Sequence, residues 1–141
     1  MNIFKEILLY VCQLPQNLLG LMVKWFTKPD MKIKVKNGNC AYFTHRMPGG
    51  ISLGKYSIIN KGYIRNWQTE EDIANLDVVK HECLGHGTQS RILGPFYLLV
   101  IGLPSITWAK LYGWIIPYTK NGYYRFYTEK WADKLGGVVR K

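Results

Sequence analysis

Two of the three histidines in this chain, His81 and His86, lie in the short segment DVVKHECLGHGTQS, residues 77–90. Glu82 follows the first histidine directly, so two imidazoles and one carboxylate come from a single stretch that we expect to be helical. Histidine nitrogens and carboxylate oxygens bind Zn²⁺, and a carboxylate beside the ion can act as a general base. These residue types predict a metal site that activates water.

The two histidines are one residue further apart than in the usual helical zinc motif. In H-E-x-x-H the imidazoles at i and i+4 are separated by about 40° around the helix, so both reach one ion. Here the pattern is H-E-x-x-x-H, and positions i and i+5 differ by about 140° on a regular helix. A π-bulge accommodates one extra residue and is frequent at functional sites. Because Gly85 and Gly87 leave the backbone beside His86 least restrained, we predict a bulge or a helix break between His81 and Gly87.

A pair of acidic residues near the C-terminal end completes the predicted site. Glu129 and Asp133 are four residues apart, so on a helix they share a face, and Gly136-Gly137 is a natural end for that helix. A zinc site with two histidines needs a third protein ligand, and glutamate is one standard choice. Bound imidazoles also need an acceptor for their other ring N–H, usually a carboxylate. We therefore predict Glu129 as a ligand and Asp133 as that acceptor.

These residues resemble the signature of the gluzincin metallopeptidases, the thermolysin-like group, in which a second helix supplies a glutamate ligand and an aspartate four residues later. The resemblance implies His81, His86 and Glu129 as ligands of Zn²⁺. It also implies Glu82 as the general base and Asp133 as the residue that orients a histidine. The implied activity is hydrolysis of a peptide or protein substrate by a zincin-like domain. The stretch GHGTQSRILGPFYLLVIGLPS is also similar to small uncharacterised bacterial and phage proteins with an H-E-x-G-H motif.

Residues 31–60 have the alternation expected for strands. MKIKVK alternates apolar and basic residues, Asn37-Gly38 supplies a tight turn, and AYFTHRM follows as a second strand. After a turn at Pro48-Gly49-Gly50, we expect Ile51–Asn60 as a third strand, which gives a small antiparallel β-meander. The gluzincin resemblance extends to this strand as the edge that faces the substrate. His45 falls on the second predicted strand, where we expect it to face solvent or a local partner.

The first of two long apolar segments, Ile7–Val23, has 17 uncharged residues. Its central polar residues and Pro15 argue against a straight transmembrane helix and against a clear cleavable signal peptide. We predict an apolar N-terminal helical segment, residues 1–28, that is broken at Leu14-Pro15. Its apolar stripe is expected to pack in the core, with membrane contact as the alternative.

The second apolar segment has 18 uncharged residues from Ile92 to Ala109 and continues to Thr119. Internal glycines and prolines argue against a single continuous membrane span. We predict an apolar helical hairpin over residues 92–119. Two placements stay open, an interfacial or re-entrant pair in a membrane and a buried hairpin in a soluble core.

Composition bounds the remaining expectations. The 141 residues are 48% hydrophobic, which suits one α+β domain over 1–141 that joins the β-meander to a metal-site helix pair and broken apolar helices. The formal net charge of +10 fits an anionic partner. A membrane surface is a better interpretation than a nucleic acid, because no nucleic-acid-binding module is recognisable. Three cysteines without C-x-x-C spacing suit reducing conditions, so a cytoplasmic or membrane-associated protein is expected.

Two classes of function remain open from the sequence. The first is a zinc-dependent metallopeptidase that works on peptide bonds, at a membrane surface if the apolar segments meet lipid. The alternative is a non-catalytic, basic, membrane-associated binding or structural protein with a degenerate or structural metal site. Metal content distinguishes the two classes most cheaply.

Overall fold

The computed structural model of the protein describes residues 2–115 and 123–140. Two helices come first, four strands follow, and helices and short helical turns make up the remainder of this part of the chain. The elements are α1 (Ile3–Cys12), α2 (Leu14–Thr27), β1 (Met31–Lys34), β2 (Cys40–Thr44), β3 (Gly50–Leu53), β4 (Tyr56–Asn60), a 3₁₀ turn (Lys61–Tyr63), α3 (Glu70–Ala74), α4 (Asp77–Val79), a π-helical turn (Lys80–His86), α5 (Gly87–Leu93), a 3₁₀ turn (Gly94–Phe96), a second π-helical turn (Leu98–Gly102), α6 (Leu103–Ile115), a 3₁₀ turn (Tyr123–Arg125) and α7 (Tyr127–Gly136). The predicted α+β class is confirmed.

The sheet is mixed, with strand order β1-β2-β4-β3. β1 and β2 form the predicted antiparallel hairpin, and β3 and β4 form another, but β2 and β4 run parallel with Cys40 opposite Tyr56. The predicted antiparallel meander is therefore wrong. The segment Ile51–Asn60, expected to be one strand, contains a reversal at Gly54, which has a φ of 66° that glycine adopts without strain. That reversal places β3 at the edge of the sheet and β4 beside β2.

The sheet lies between helices on both of its faces. One face packs against α3, α4 and the first π-helical turn through a core of buried apolar residues: Ile33, Val35, Ala41, Phe43, Ile59, Ile73, Val79 and Cys83. On the other face, Tyr42 and Ile58 pack with Val23 of α2. Because alternate residues of a strand point to opposite faces, the central strand β2 is buried along its whole length.

The break between α1 and α2 falls at Gln13, one residue before the predicted position, and the two helices are bent by 86°. Pro15 lies in the first turn of α2, where its missing N–H removes no intrahelical bond. The expectation that the apolar stripe packs in the core is wrong. Leu18, Met22 and Trp25 are exposed, whereas the buried residues of α2 are Gln16, Asn17 and Gly20. The polar side chains are buried because they hydrogen-bond to backbone and side-chain groups beneath them.

The second apolar segment also bends. Within the described residues, no single helix has the length and apolar composition needed to cross a membrane. Two pairs of consecutive helices have the required length and composition when each pair is taken together, but both pairs are sharply bent: Ile3–Cys12 with Leu14–Thr27, and Asp77–Phe96 with Leu98–Tyr112. The second pair is bent by 120°. It therefore begins in the histidine segment, and the bend lies at Tyr97, between Phe96 and Leu98. Residues 116–119 of the predicted hairpin lie outside the described residues.

Candidate metal centre

The histidine segment forms the π-helical turn Lys80–His86, which confirms the predicted bulge. The predicted cause, backbone freedom at Gly85 and Gly87, is wrong. Gly87 has ordinary right-handed helical angles, and Gly85 is not among the residues of positive φ. Gly85 is required by close packing instead. A Cβ at this position would fall on the backbone carbonyl of Ala132 in α7, 2.8 Å from its carbon.

The same two helices approach closely at a second glycine. A Cβ at Gly136 would lie 2.5 Å from the carbonyl oxygen of Lys80, so the backbones of α7 and the π-helical turn are in contact at both ends of their interface. Side chains larger than hydrogen at these two points would push the helices apart. The close approach is what brings the carboxylates of α7 to the histidines.

The β1–β2 turn holds the π-helical turn from the other side. The carbonyl oxygen of Cys83 accepts hydrogen bonds from Nδ2 of Asn37 at 2.9 Å and from Nδ2 of Asn39 at 3.1 Å. A wider turn disturbs the regular hydrogen-bond pattern of a helix, and a buried carbonyl without a partner would cost about 1–3 kcal/mol. The two asparagines supply that partner.

Each histidine is oriented by a hydrogen bond at Nδ1. His81 Nδ1 lies 2.7 Å from Oδ1 of Asp133, and His86 Nδ1 lies 2.7 Å from Oε1 of Gln89. The amide nitrogen of Gln89 donates to the carbonyl of Thr128, so its oxygen is the atom that faces His86. Both partners are acceptors, so both Nδ1 atoms carry the proton. In the neutral rings, the Nε2 atoms are then left with free lone pairs.

Glu129 is fixed through one oxygen and faces the histidines with the other. Its Oε1 accepts hydrogen bonds from the hydroxyls of Ser105 at 2.9 Å and Tyr123 at 2.8 Å. Its Oε2 lies 2.8 Å from Nε2 of His86 and 3.7 Å from Nε2 of His81. No N–H is aimed at Oε2, so this buried oxygen has no well-directed hydrogen bond. The short distance between Glu129 Oε2 and His86 Nε2 favours a positive charge between them, either a proton on His86 or a metal ion.

Glu82 contributes a second carboxylate. Candidate ligand atoms of His81, Glu82 and His86 all lie within 4.8 Å of one another, and the three residues are buried. This group could hold a metal ion. Oε2 of Glu82 is also buried without a hydrogen-bond partner. The structure thus brings together every residue that the sequence predicted for the site, with two carboxylates on opposite helices beside the imidazole pair.

The charges of the metal-free site are strongly coupled. Burial alone would lower the pKa of His86, but its close contact with Glu129 and the charges of both glutamates outweigh burial and raise it to about 9. Burial would raise the pKa of Glu129, but the contact with His86 and the charges of both histidines outweigh burial and lower it to about 2. The pKa of Glu82 is raised, chiefly because the carboxyl is buried. A cation is therefore favoured beside Glu129, and Glu82 is the carboxylate that takes up a proton more readily.

A cavity of about 730 Å³ opens onto the site. Its walls include β3, α6 and the aromatic residues Tyr97, Tyr123 and Tyr124. The ring of Tyr124 packs edge-on against His81 with ring centroids 5.5 Å apart. Arg140 lies over Tyr124 and donates two hydrogen bonds to Asp133, which keeps that carboxylate ionised beside the histidine. His81, Glu82, His86 and Glu129 are also among the residues that line this cavity, so the candidate ligands lie in its wall.

Some residues of the site were not found from the sequence. Gln89 could have been found, because it lies three residues after His86 on the same helix and therefore on nearly the same face. Ser105, Tyr123 and Arg140 gave no local signal, because only the tertiary structure places them beside acidic residues of α7. The third histidine, His45, is exposed in the turn that follows β2 and takes no part in the site.

Comparison with known proteins finds no relative for this arrangement. No protein-family model matches the chain, no curated protein matches it, and no solved structure matches it. The interpretation of the site therefore depends on its own geometry and chemistry.

Proposed function

We propose that the protein is a zinc-dependent, gluzincin-like metallopeptidase that hydrolyses peptide bonds in a peptide or protein substrate. The observation that carries the proposal is the arrangement around Glu129 Oε2. The Nε2 atoms of His81 and His86 lie 3.7 Å and 2.8 Å from it, and the opposite nitrogen of each ring is held by an acceptor. Such orienting hydrogen bonds typically accompany metal-bound histidines.

The donor atoms favour zinc over the hard cations. Two imidazole nitrogens and one carboxylate oxygen form one of the ligand sets of catalytic zinc sites, which keep one position open for water or substrate. Calcium and magnesium prefer sites made of oxygen atoms. We assign the ligand role to His81, His86 and Glu129, because Glu129 faces both imidazoles and its other oxygen is already fixed by Ser105 and Tyr123.

Glu82 is the general base in this proposal. It stands beside the imidazole pair in the cavity wall, and its raised pKa suits a group that accepts a proton and then passes it on. A zinc ion held by the three ligands would supply Lewis acidity to water and to the peptide carbonyl. Glu82 would take the proton from the attacking water and deliver it to the leaving amine nitrogen.

The edge strand β3 offers a place for an extended substrate. The carbonyl of Gly49 accepts a hydrogen bond from β4, whereas that of Ser52 accepts one from the hydroxyl of Tyr97 on the other side. Backbone groups of a strand alternate in direction, so those of Gly50 face away from β4. The side chain of Glu82 lies against Gly50, where a Cβ would come within 2.9 Å of its carboxylate oxygen. A peptide added to this edge would pass directly by the general base.

Zinc content and cleavage together test the proposal. Protein purified without added metal should contain about one zinc per chain, and His81→Ala or Glu129→Ala should each remove most of the affinity. Glu82→Gln should retain zinc and lose cleavage of a quenched fluorescent peptide mixture, whereas His45→Ala should change neither. A folded protein that takes up no zinc on titration would refute the site.

One outcome would select the alternative class of function. A chain that binds zinc with these ligands, unfolds when chelated and cleaves no peptide would be a protein with a structural metal site. The cavity beside these residues argues for the catalytic interpretation, because structural zinc sites are closed by four protein ligands.

A further inference from the structure

Helix α2 buries polar residues and exposes apolar ones, which is the reverse of a surface helix in a soluble protein. Its three buried residues are Gln16, Asn17 and Gly20, two of which are polar. α1 has no buried residue at all. The exposed apolar residues of the two helices, which we call the α1–α2 apolar surface, are Ile3, Phe4, Ile7, Leu8, Val11, Leu14, Leu18, Leu19, Leu21, Met22, Trp25 and Phe26. So many exposed large apolar side chains on two consecutive helices indicate an interaction site.

The break between α1 and α2 satisfies its backbone internally. The backbone N–H of Gln13 bonds to the carbonyls of Leu9 and Tyr10, and the side-chain Nε2 of Gln13 donates a further bond to the carbonyl of Leu9 at 3.0 Å. Asn17 Nδ2 donates to the carbonyl of Tyr10 at 2.9 Å. Gln13 and Asn17 are both buried, so these partners satisfy the break from the protein side. Partners supplied by the chain itself are the requirement for a helix break that lies in lipid.

The second bent pair meets the first just before its own bend. Gln16 Nε2 donates to the carbonyl of Gly94 at 2.7 Å and to the hydroxyl of Ser90 at 2.9 Å, and that hydroxyl donates to Gln13 Oε1 at 2.6 Å. The second pair also exposes apolar residues: Ile92, Phe96, Leu99, Val100, Leu103, Ile106 and Leu111. Polar groups therefore join the two bends on the inside, while large apolar side chains point outward from both.

A basic groove lies at the C-terminal end of α2. It has a volume of about 530 Å³ and is lined by Lys24, Lys28 and Lys32 together with Trp25 and Tyr42. The ammonium groups of Lys24 and Lys32 lie 4.6 Å and 5.7 Å from the centre of the Tyr42 ring. The acid in the groove, Asp30, is paired with Lys61 at 2.8 Å. Cationic groups beside an exposed tryptophan are the pattern of a membrane interface, where anionic headgroups meet apolar chains.

We propose that the α1–α2 apolar surface inserts into an anionic lipid bilayer and that the basic groove binds the phosphate of a lipid headgroup. Net charge separates this occupant from a second copy of the chain. Two copies would each bring a formal charge of +10 to the contact, whereas an anionic surface is attracted by it. This inference concerns the opposite side of the sheet from the histidines and does not depend on the metal site.

Co-sedimentation with vesicles tests the proposal in the full chain. The protein should sediment with vesicles of phosphatidylcholine mixed with phosphatidylglycerol and bind pure phosphatidylcholine less. It should be released only in part by 1 M salt, where the Debye length is about 3 Å and apolar insertion remains. Lys24→Gln with Lys28→Gln should remove the preference for the anionic vesicles. The matched pair Lys130→Gln with Lys134→Gln, exposed on α7, should keep it.

A tryptophan pair tests insertion separately from charge. Trp25 and Trp67 are 75% and 76% exposed, so serine at either position removes the same side chain from the surface of the folded protein. Trp25→Ser should weaken vesicle binding by about 10-fold or more, because the affinity gained by burying one large apolar side chain is lost. Trp67→Ser should leave vesicle binding unchanged. Circular dichroism checks that each variant is folded. A detergent-free monomer that ignores vesicles would overturn the proposal, as would a dimer that ignores vesicles and that Trp25→Ser dissociates.

Discussion

Nδ1 of His81 lies 2.7 Å from Oδ1 of Asp133, a residue 52 positions further along the chain. The carboxylate is buried and is kept ionised by hydrogen bonds from His81 and Arg140, which outweigh the effect of burial and lower its pKa. Asp133 therefore stays an acceptor and holds the proton of the imidazole on Nδ1. The opposite nitrogen, Nε2, remains free to bind a metal ion.

Asp133→Ala is expected to weaken zinc binding by about 10- to 100-fold, because His81 loses the acceptor that orients its ring. Competition with a chromophoric chelator measures the affinity. Glu71→Ala removes an exposed acid from α3 and serves as the control, with no expected change. An Asp133→Ala protein that is folded and binds zinc as tightly as the unaltered chain would show that the ring needs no orienting carboxylate.

Two adjacent glycines allow a matched test of the substrate edge. A Cβ at Gly50 would lie 2.9 Å from Oε1 of Glu82, whereas a Cβ at Gly49 would meet no atom within 4 Å. Gly50→Ala should therefore reduce peptide cleavage and leave zinc affinity intact, while Gly49→Ala should change neither. Turnover of a fluorescent peptide and zinc titration of both variants measure the two effects. Equal cleavage by the two variants would exclude β3 as the substrate edge beside the base.

Zinc affinity should depend on pH through His86. Its contact with Glu129 raises its pKa from the ordinary value of 6.5 to about 9 in the metal-free protein. A metal ligand must be deprotonated, so zinc has to displace this proton at any pH below about 9. The affinity should rise about tenfold per pH unit across the neutral range, with release of about one proton per zinc in calorimetry in buffers of different ionisation enthalpy. A zinc affinity that stops rising near pH 6.5 would contradict the ion pair between His86 and Glu129.

Deletion of Leu84 would restore the spacing H-E-x-x-H. Leu84 is half-buried, and its removal should convert the π-helical turn to a regular helix in which both imidazoles still share a face. Zinc affinity should be retained or increased, because the ligands stay while the wider turn is lost. Deletion of the half-buried Thr88 is the matched control. It keeps the histidine spacing and rotates Gln89 away from His86, so zinc affinity should fall.

The residues of the candidate metal centre could be predicted from the sequence, because helical geometry is local. Glu129 and Asp133 share a face by their spacing alone, and α7 ends at Gly136 and is capped by Gly137, which has the left-handed angles that glycine favours. The unusual histidine spacing itself called for a π-bulge, since a regular helix could not place both rings together. Residue types and short-range periodicity were enough for these features.

The sheet order was beyond such reasoning. A hairpin of β3 and β4 and a single long strand over Ile51–Asn60 have similar apolar patterns, and the reversal at Gly54 decides between them. The turn is stabilised by a distant residue, because Asn17 Oδ1 of α2 accepts a hydrogen bond from the N–H of Lys55 at 2.8 Å. Parallel pairing of β2 with β4 follows from that reversal and has no local signature.

The sequence by itself determined which side chains are suited to bind a metal ion or to accept a proton, and where the apolar segments lie. Only the tertiary structure decided how those groups face one another. Gly85 and Gly136 let two backbones touch, so that carboxylates and imidazoles separated by a long stretch of chain meet in one buried site. Likewise, the hydrogen bonds made by the few polar residues of an apolar helix decide which of its faces turns toward the protein. Gln16 and Asn17 found partners inside the fold, and the leucines of α2 were therefore turned outward.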